Sequence, residues 1–211
     1  MSISQQTRTA LAGRWAAVWP GTTPVARWDE LADRFPDQWV RLHSLPESKQ
    51  YPDDETEYET VFLRHHTLLR ELAGPDHASA SAILRTMSWS TTARPTRRSQ
   101  ATVSVAPGAR HWVSELTEDD PDPEWRTWSH VYLNPVRLTR ESLDPVLRLV
   151  ADDMLGEIII ALESLDWLYR PYPGGVDIFL PSKAERDALS TRHQDWCPPP
   201  GYTGGPCCRE P

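Results

Sequence analysis

The tightest constraint on how this chain can fold lies in residues 156–180. Residues 158–162, Ile-Ile-Ile-Ala-Leu, are apolar throughout and rich in β-branched side chains. Such a run reads as an interior strand, because a half-exposed strand would alternate with polar residues. Two more strand-like stretches, 167–170 and 176–180, flank Pro171, Tyr172, Pro173, Gly174 and Gly175. Proline fixes φ and glycine admits positive φ, so this segment reads as a hairpin turn. An interior strand beside a hairpin points to a largely antiparallel sheet.

The remaining segments supply helices to cover it. Residues 8–19 and 25–34 read as two short helices, the first with Leu11, Trp15 and Val18 on one face. The clearest helix is 54–72, with Asp53 as its expected cap and Tyr58, Val61, Phe62, Leu69 and Leu72 as its apolar stripe. His65 falls on that stripe. Residues 140–153 form another expected helix, capped by Thr139. Ser182 to Glu185 is a capping box opening a helix to about residue 196. Strands are expected at 39–43, 81–89, 101–105, 110–116 and 125–133, with the acidic, proline-rich run 118–124 as a loop. The expected architecture is therefore α+β: a single domain over 1–196, helices packed on a largely antiparallel sheet, and an irregular Pro/Gly/Cys tail over 197–211.

Composition narrows the function. A chain of 211 residues buries roughly 70% of its unfolded surface and needs no disulfide or metal to fold. The net charge is −8 and the pI about 5.3, which argues against nucleic acid, whose binding rests on neutralised phosphates. Lys49 and Lys183 are the only lysines in an otherwise arginine-based set of cations. With abundant Ala, Pro and Asp, that bias reads as a GC-rich bacterial genome. No segment has the apolar length of a signal peptide or membrane span, so the expected setting is cytoplasmic.

Alternation on strands gives the most interesting surface. Trp39, Arg41 and His43 share one face of 39–43; Arg126, Trp128, His130 and Tyr132 share one face of 125–133. If those strands are neighbours, they make one aromatic, hydrogen-bonding patch of the kind that anchors interfaces. The same pattern also fits a sheet covered by helices, with tryptophan in the core and arginine at the rim. The chain holds ten tryptophans, an excess that draws attention to these faces.

Other clusters carry less. His43, Ser44, Glu47 and Lys49 lie close in sequence, but neighbours on a strand point apart, so His43 and Ser44 are poorly placed as base and nucleophile. No glycine-rich phosphate loop or nucleophile elbow is present, and no cofactor is expected. His193, Cys197, Cys207 and Cys208 have the ligand count of a Cys3His zinc site, although the adjacent Cys207 and Cys208 suit one tetrahedral ion badly. Three cysteines imply no disulfide framework. Asp177, just after the Gly-Gly turn in an apolar strand, fits a structural bond to the turn backbone better than acid–base work.

Two blocks carry a family resemblance. Trp39-Val-Arg-Leu-His-Ser-Leu-Pro-Glu-Ser-Lys-Gln-Tyr51 and Trp167-Leu-Tyr-Arg-Pro-Tyr-Pro-Gly-Gly-Val-Asp-Ile-Phe-Leu180 resemble the bacterial family called domain of unknown function 3885. The likeness spans about 39–72 and 165–196. His66 departs from the family pattern, in which a small amide is usual. The resemblance carries no activity and transfers no catalytic residue. The functional expectation is a binding or protein-interaction module, immunity- or antitoxin-like in one concrete form. It would use Trp39, Arg41, His43, Glu47, Lys49, Arg126, Trp128, His130 and Tyr132, with another protein as partner. The alternative is a small hydrolase or metal-assisted enzyme joining His43, Glu47 or His130 in one pocket.

Overall fold

In the computed structural model, residues 3–198 are described, apart from 76, 78 and 96. Helices α1 (Gln5–Val18) and α2 (Trp28–Arg34) precede strand β1 (Trp39–His43), and α3 (Glu55–Ala73) leads to β2 (Ala82–Ser90). Then come α4 (Gln100–Val105), β3 (Arg110–Glu118), β4 (Thr127–Val136) and α5 (Arg140–Ala151). Strands β5 (Ile159–Leu162), β6 (Leu168–Tyr172) and β7 (Gly175–Phe179) are followed by α6 (Lys183–Arg192).

The seven strands form one sheet in the order β1-β7-β6-β5-β2-β4-β3, with every pairing antiparallel. The apolar run becomes β5, interior as its composition requires. The hairpin closes on Pro173 and Gly174, with Gly174 at φ 94°. Gly175 has a different reason to be glycine: a Cβ there would lie 2.5 Å from the Leu42 carbonyl oxygen.

Helices cover both faces of the sheet. Register separates them: Val40, Ile178, Tyr169, Ile160, Leu84 and Asn134 are successive cross-strand partners and share one face. That face packs against Val61, Phe62, Leu68 and Leu69 of α3, Leu143, Val146 and Leu147 of α5, and Leu189 of α6. The opposite face, with Phe179, Leu168, Ile159, Ile83 and Leu133, packs against Leu11 and Trp15 of α1, Trp19, and Leu31 of α2. Two cores thus share one sheet.

Local departures from the sequence reading have simple causes. Residues 101–105 are helical, not a strand; Ser99 accepts a hydrogen bond from the Thr102 N–H at 3.1 Å and starts the turn. The cap of α3 is Asp54 rather than Asp53, because Asp54 Oδ1 accepts the Glu57 N–H at 3.0 Å. Trp125 and Arg126 precede β4, and Trp125 is 72% exposed in a single 3-10 turn. Among the described residues no helix is long and apolar enough to cross a membrane.

Candidate functional site

Strand β1 lies at one edge of the sheet and carries Trp39 and Arg41 to Trp28 at the start of α2. Arg41 stands opposite Asp177 of β7, which stands opposite Arg170 of β6, so the three make one row across the sheet. Asp177 is fully buried. Its carboxylate accepts from Arg41 Nε at 2.8 Å, Arg41 Nη2 at 3.1 Å, Trp39 Nε1 at 2.9 Å and Arg170 Nη1 at 3.2 Å. Arg170 Nη2 also donates to Glu157 Oε1 at 2.9 Å. The Arg41 guanidinium lies 5.0 Å from the Trp28 ring and 5.0 Å from that of Tyr172. Arg85, on the same face, donates to the carbonyls of Pro24 and Ala26 and so holds the approach to α2 over the row. Burial lowers the Arg85 pKa to about 10.

This geometry corrects the reading of β1 as an open recognition surface. Trp39, Arg41 and His43 are 7, 8 and 7% exposed. Buried ions cost several kcal/mol each unless fully paired, and Asp177 supplies that pairing here. Trp39 and Arg41 are thereby committed to the frame.

The two aromatic strands do not meet. Five strand steps separate β1 from β4, about 24 Å at ~4.8 Å a step. They also use opposite faces: Trp39, Arg41 and His43 lie with Phe179 and Leu168, while Trp128, His130 and Tyr132 lie with Asn134 and Leu84. A single patch built from both is excluded, and so is a pocket joining His43 with His130. Arg126 leaves the strand altogether; its Nε donates to the Asp120 carbonyl at 2.9 Å and lies 3.2 Å from Asp119. Tyr132 is buried under the Arg98 guanidinium, 5.2 Å away.

At the end of the Arg41–Asp177 row the chain opens a cleft. His43, Leu45, Glu47 and Ser48 line one side; Asp195, Trp196 and Cys197, just past α6, line the other, enclosing about 270 Å³. A smaller hollow of about 170 Å³ adjoins it through His43 and Ser48 and reaches Gln50, Tyr172 and Gly174. The two family-like blocks therefore converge here: the 39–51 segment, the hairpin, and the tryptophan that ends the second block.

The loop that builds the cleft is strained. Glu47 and Ser48 have φ of 55° and 60°, the left-handed region that costs side-chain-bearing residues roughly 1–2 kcal/mol each. Such strain persists only where the surroundings hold it. Lys49 does that holding: its ammonium bonds Asp53 at 2.7 Å and Glu57 at 2.6 and 2.5 Å, clamping the loop to the start of α3. Glu47 and Asp195 are exposed carboxylates that both line the cleft. Trp196 is fixed by Arg64, 5.0 Å from its ring, and by His193, stacked at 4.3 Å. Burial, then the nearby Arg41 and Arg64 guanidiniums, holds the His43 pKa below its ordinary value. Its imidazole is therefore neutral at pH 7.

Of the zinc candidates, Cys207 and Cys208 lie outside the described residues. His193 Nε2 is 2.9 Å from Glu71 Oε1, and Cys197 Sγ is 3.6 Å from Ser190 Oγ. Among the described residues no group of three or more His, Cys, Asp or Glu side chains is arranged to hold a metal. Sequence reasoning missed Ser48, Asp195 and Trp196 as cleft residues; the tryptophan closing the second family-like block was the available signal. A family model described as Domain of unknown function (DUF3885) matches residues 28–199. No curated protein and no solved structure matches the chain.

Proposed function

The chain belongs to the Domain of unknown function (DUF3885) family, and from that premise we propose that it is a bacterial cytoplasmic binding module whose cleft takes up a cationic side chain of a partner protein. The observation that carries this is that Glu47 and Asp195, from segments far apart in sequence, line the same cleft. Neutral His43 and the indole of Trp196, held by Arg64 and His193, line the same volume. Two carboxylates lining one small volume favour a cation by Coulomb attraction, which neutral His43 does not oppose and which Arg64, over Trp196 and coupled to Asp195, offsets only in part. The net charge of −8 steers the same class of partner toward the protein. A basic partner covered by an acidic one is the arrangement an immunity- or antitoxin-like role requires. The contact surface is then the cleft rather than the β1 face, with Trp39 and Arg41 acting through the frame beneath it.

Peptides identical except for Arg, Lys, Gln or Glu at one central position, titrated calorimetrically, provide the test. Arg and Lys peptides should bind and the other two should not. The double substitution Glu47→Gln with Asp195→Asn should weaken that binding at least about tenfold without shifting the unfolding midpoint, since both positions are exposed. Equal binding of all four peptides, or binding indifferent to the double substitution, would remove the cleft from consideration.

A further inference from the structure

The far end of the sheet holds a second constellation, built on β2, β4 and β3. Ser88, His130 and Ser114 are cross-strand partners, so their side chains stand side by side on one face. His130 is fully buried and bonded at both ring nitrogens: Nε2 lies 2.8 Å from Ser90 Oγ and Nδ1 lies 2.7 Å from Ser114 Oγ. A further bond of 2.8 Å joins Ser114 Oγ to His111 Nε2.

The direction of every proton in this row follows from one bond. Ser90 Oγ donates to the Thr92 carbonyl at 2.9 Å, which uses its only proton. His130 Nε2 must therefore donate to Ser90, and the neutral ring keeps its lone pair on Nδ1. Ser114 then donates to Nδ1. With that proton committed, Ser114 accepts from His111 Nε2 and retains one lone pair. Burial and the neighbouring His111 hold the His130 pKa below its ordinary value, so the ring is a neutral base at pH 7.

A serine hydroxyl aimed at an imidazole nitrogen, with the other nitrogen fixed by a third group, is the arrangement that activates a serine. We propose that Ser114 is a nucleophile, His130 its general base and Ser90 the positioning residue that fixes the tautomer, forming a site for small uncharged carboxylic esters. Ser114 is half-buried on the edge strand β3, within reach of solvent. A second observation points to a ligand: the buried hydroxyl of Ser88, the other cross-strand partner of His130, has no hydrogen-bond partner among the described residues. Buried hydroxyls are normally paired, so Ser88 has a donor to offer beside the His130 ring. Leu116 and Trp128, cross-strand partners next to the row on the same face, favour an uncharged substrate.

In the reaction, Ser114 Oγ bonds to the acyl carbon as its proton passes to His130 Nδ1. The ester C–O bond breaks and the leaving alkoxide takes that proton. Water then attacks the acyl-serine, gives a proton to His130, and the serine oxygen leaves with it. The sum is ester plus water to acid plus alcohol.

A fluorophosphonate probe tests the first half of this cycle, because the serine oxygen displaces fluoride from phosphorus. Mass spectrometry of the labelled wild-type chain should place the adduct on Ser114. His130→Gln should slow labelling by at least about 100-fold, and Ser90→Ala by about tenfold, with Ser90→Thr restoring it. Wild-type protein alone decides the central claim: no adduct, or an adduct on another serine such as Ser48 of the cleft, overturns it. Unchanged labelling in folded Ser90→Ala removes the positioning role. The cleft reading stands or falls separately, on peptide binding.

Discussion

Asp177 is the residue on which the β1 end of the molecule depends. One carboxylate, fully buried, accepts hydrogen bonds from two guanidiniums and an indole N–H. Replacing one member of a buried ion pair leaves its partners charged and uncompensated, which costs about 3–5 kcal/mol. Asp177→Asn should lower the unfolding free energy by about that amount, measured by urea denaturation. Trp125→Ala, at a position 72% exposed, should change it by less than about 0.5 kcal/mol. Equal effects would mean the row is dispensable. Sequence reading singled out Asp177 for its place in an apolar strand but assigned it to the turn backbone. Its partners Arg41 and Arg170 are 136 and 7 positions away, and only strand pairing reveals that the three stand in one row. Lys49 shows the opposite case: its partners Asp53 and Glu57 lie within eight residues, yet a loop in left-handed backbone was needed to aim it at them.

At the scale of elements, α3 and β6 are joined inside the apolar core by the Tyr169 hydroxyl, which meets both the ring and the carbonyl of His65. His65 Nδ1 lies 2.6 Å from the Tyr169 hydroxyl, with both groups buried. Burial drives the His65 pKa down to about 3 and the Tyr169 pKa well above its usual value, so both are neutral. The ordinary histidine value is about 6.5. Below that pH the unfolded chain binds a proton that the folded one refuses, so stability declines as pH falls from about 6.5 toward about 3. Above pH 6.5 the contribution is flat. The unfolding free energy should therefore drop by roughly 2 kcal/mol between pH 7 and pH 5 from this group, and His65→Leu should flatten that dependence. A wild-type and variant that share the same slope would assign the pH effect to other groups. Periodicity placed His65 on the buried stripe of α3, because a helix of that length has a clear apolar face. The same approach misread residues 101–105 as a strand. Ala-Thr-Val-Ser-Val alternates like a strand, and a six-residue helix is too short to show a period of its own.

For the molecule as a whole, what sequence could not supply was strand order. Each strand's alternation was legible, and β1 and β4 both carry Trp and His at alternate positions, but alternation does not say which face of the sheet either set meets. Order β1-β7-β6-β5-β2-β4-β3 sends them to opposite faces and leaves the cleft at one end and the His130 row at the other. That order also gives α1 its purpose. The family match begins at residue 28, yet α1 supplies Leu11 and Trp15 to the core beneath α2, followed directly by Trp19. Trp19 Nε1 donates to the Leu165 carbonyl at 3.0 Å, and Trp112 of β3 donates to the Arg8 carbonyl at 2.9 Å, fastening α1 across the sheet. Burial of three such side chains contributes about 5–9 kcal/mol at roughly 1.5–3 kcal/mol each. A domain's whole net stability is about 5–15 kcal/mol, so removing α1 should consume most of it and strip the cover from Ile83, Val131 and Leu133. A chain starting at residue 21 should lose its cooperative urea transition by far-ultraviolet circular dichroism and bind a hydrophobic dye that the full chain excludes. An unchanged transition midpoint would show that the sheet and the second core are self-sufficient, and that α1 serves something other than folding.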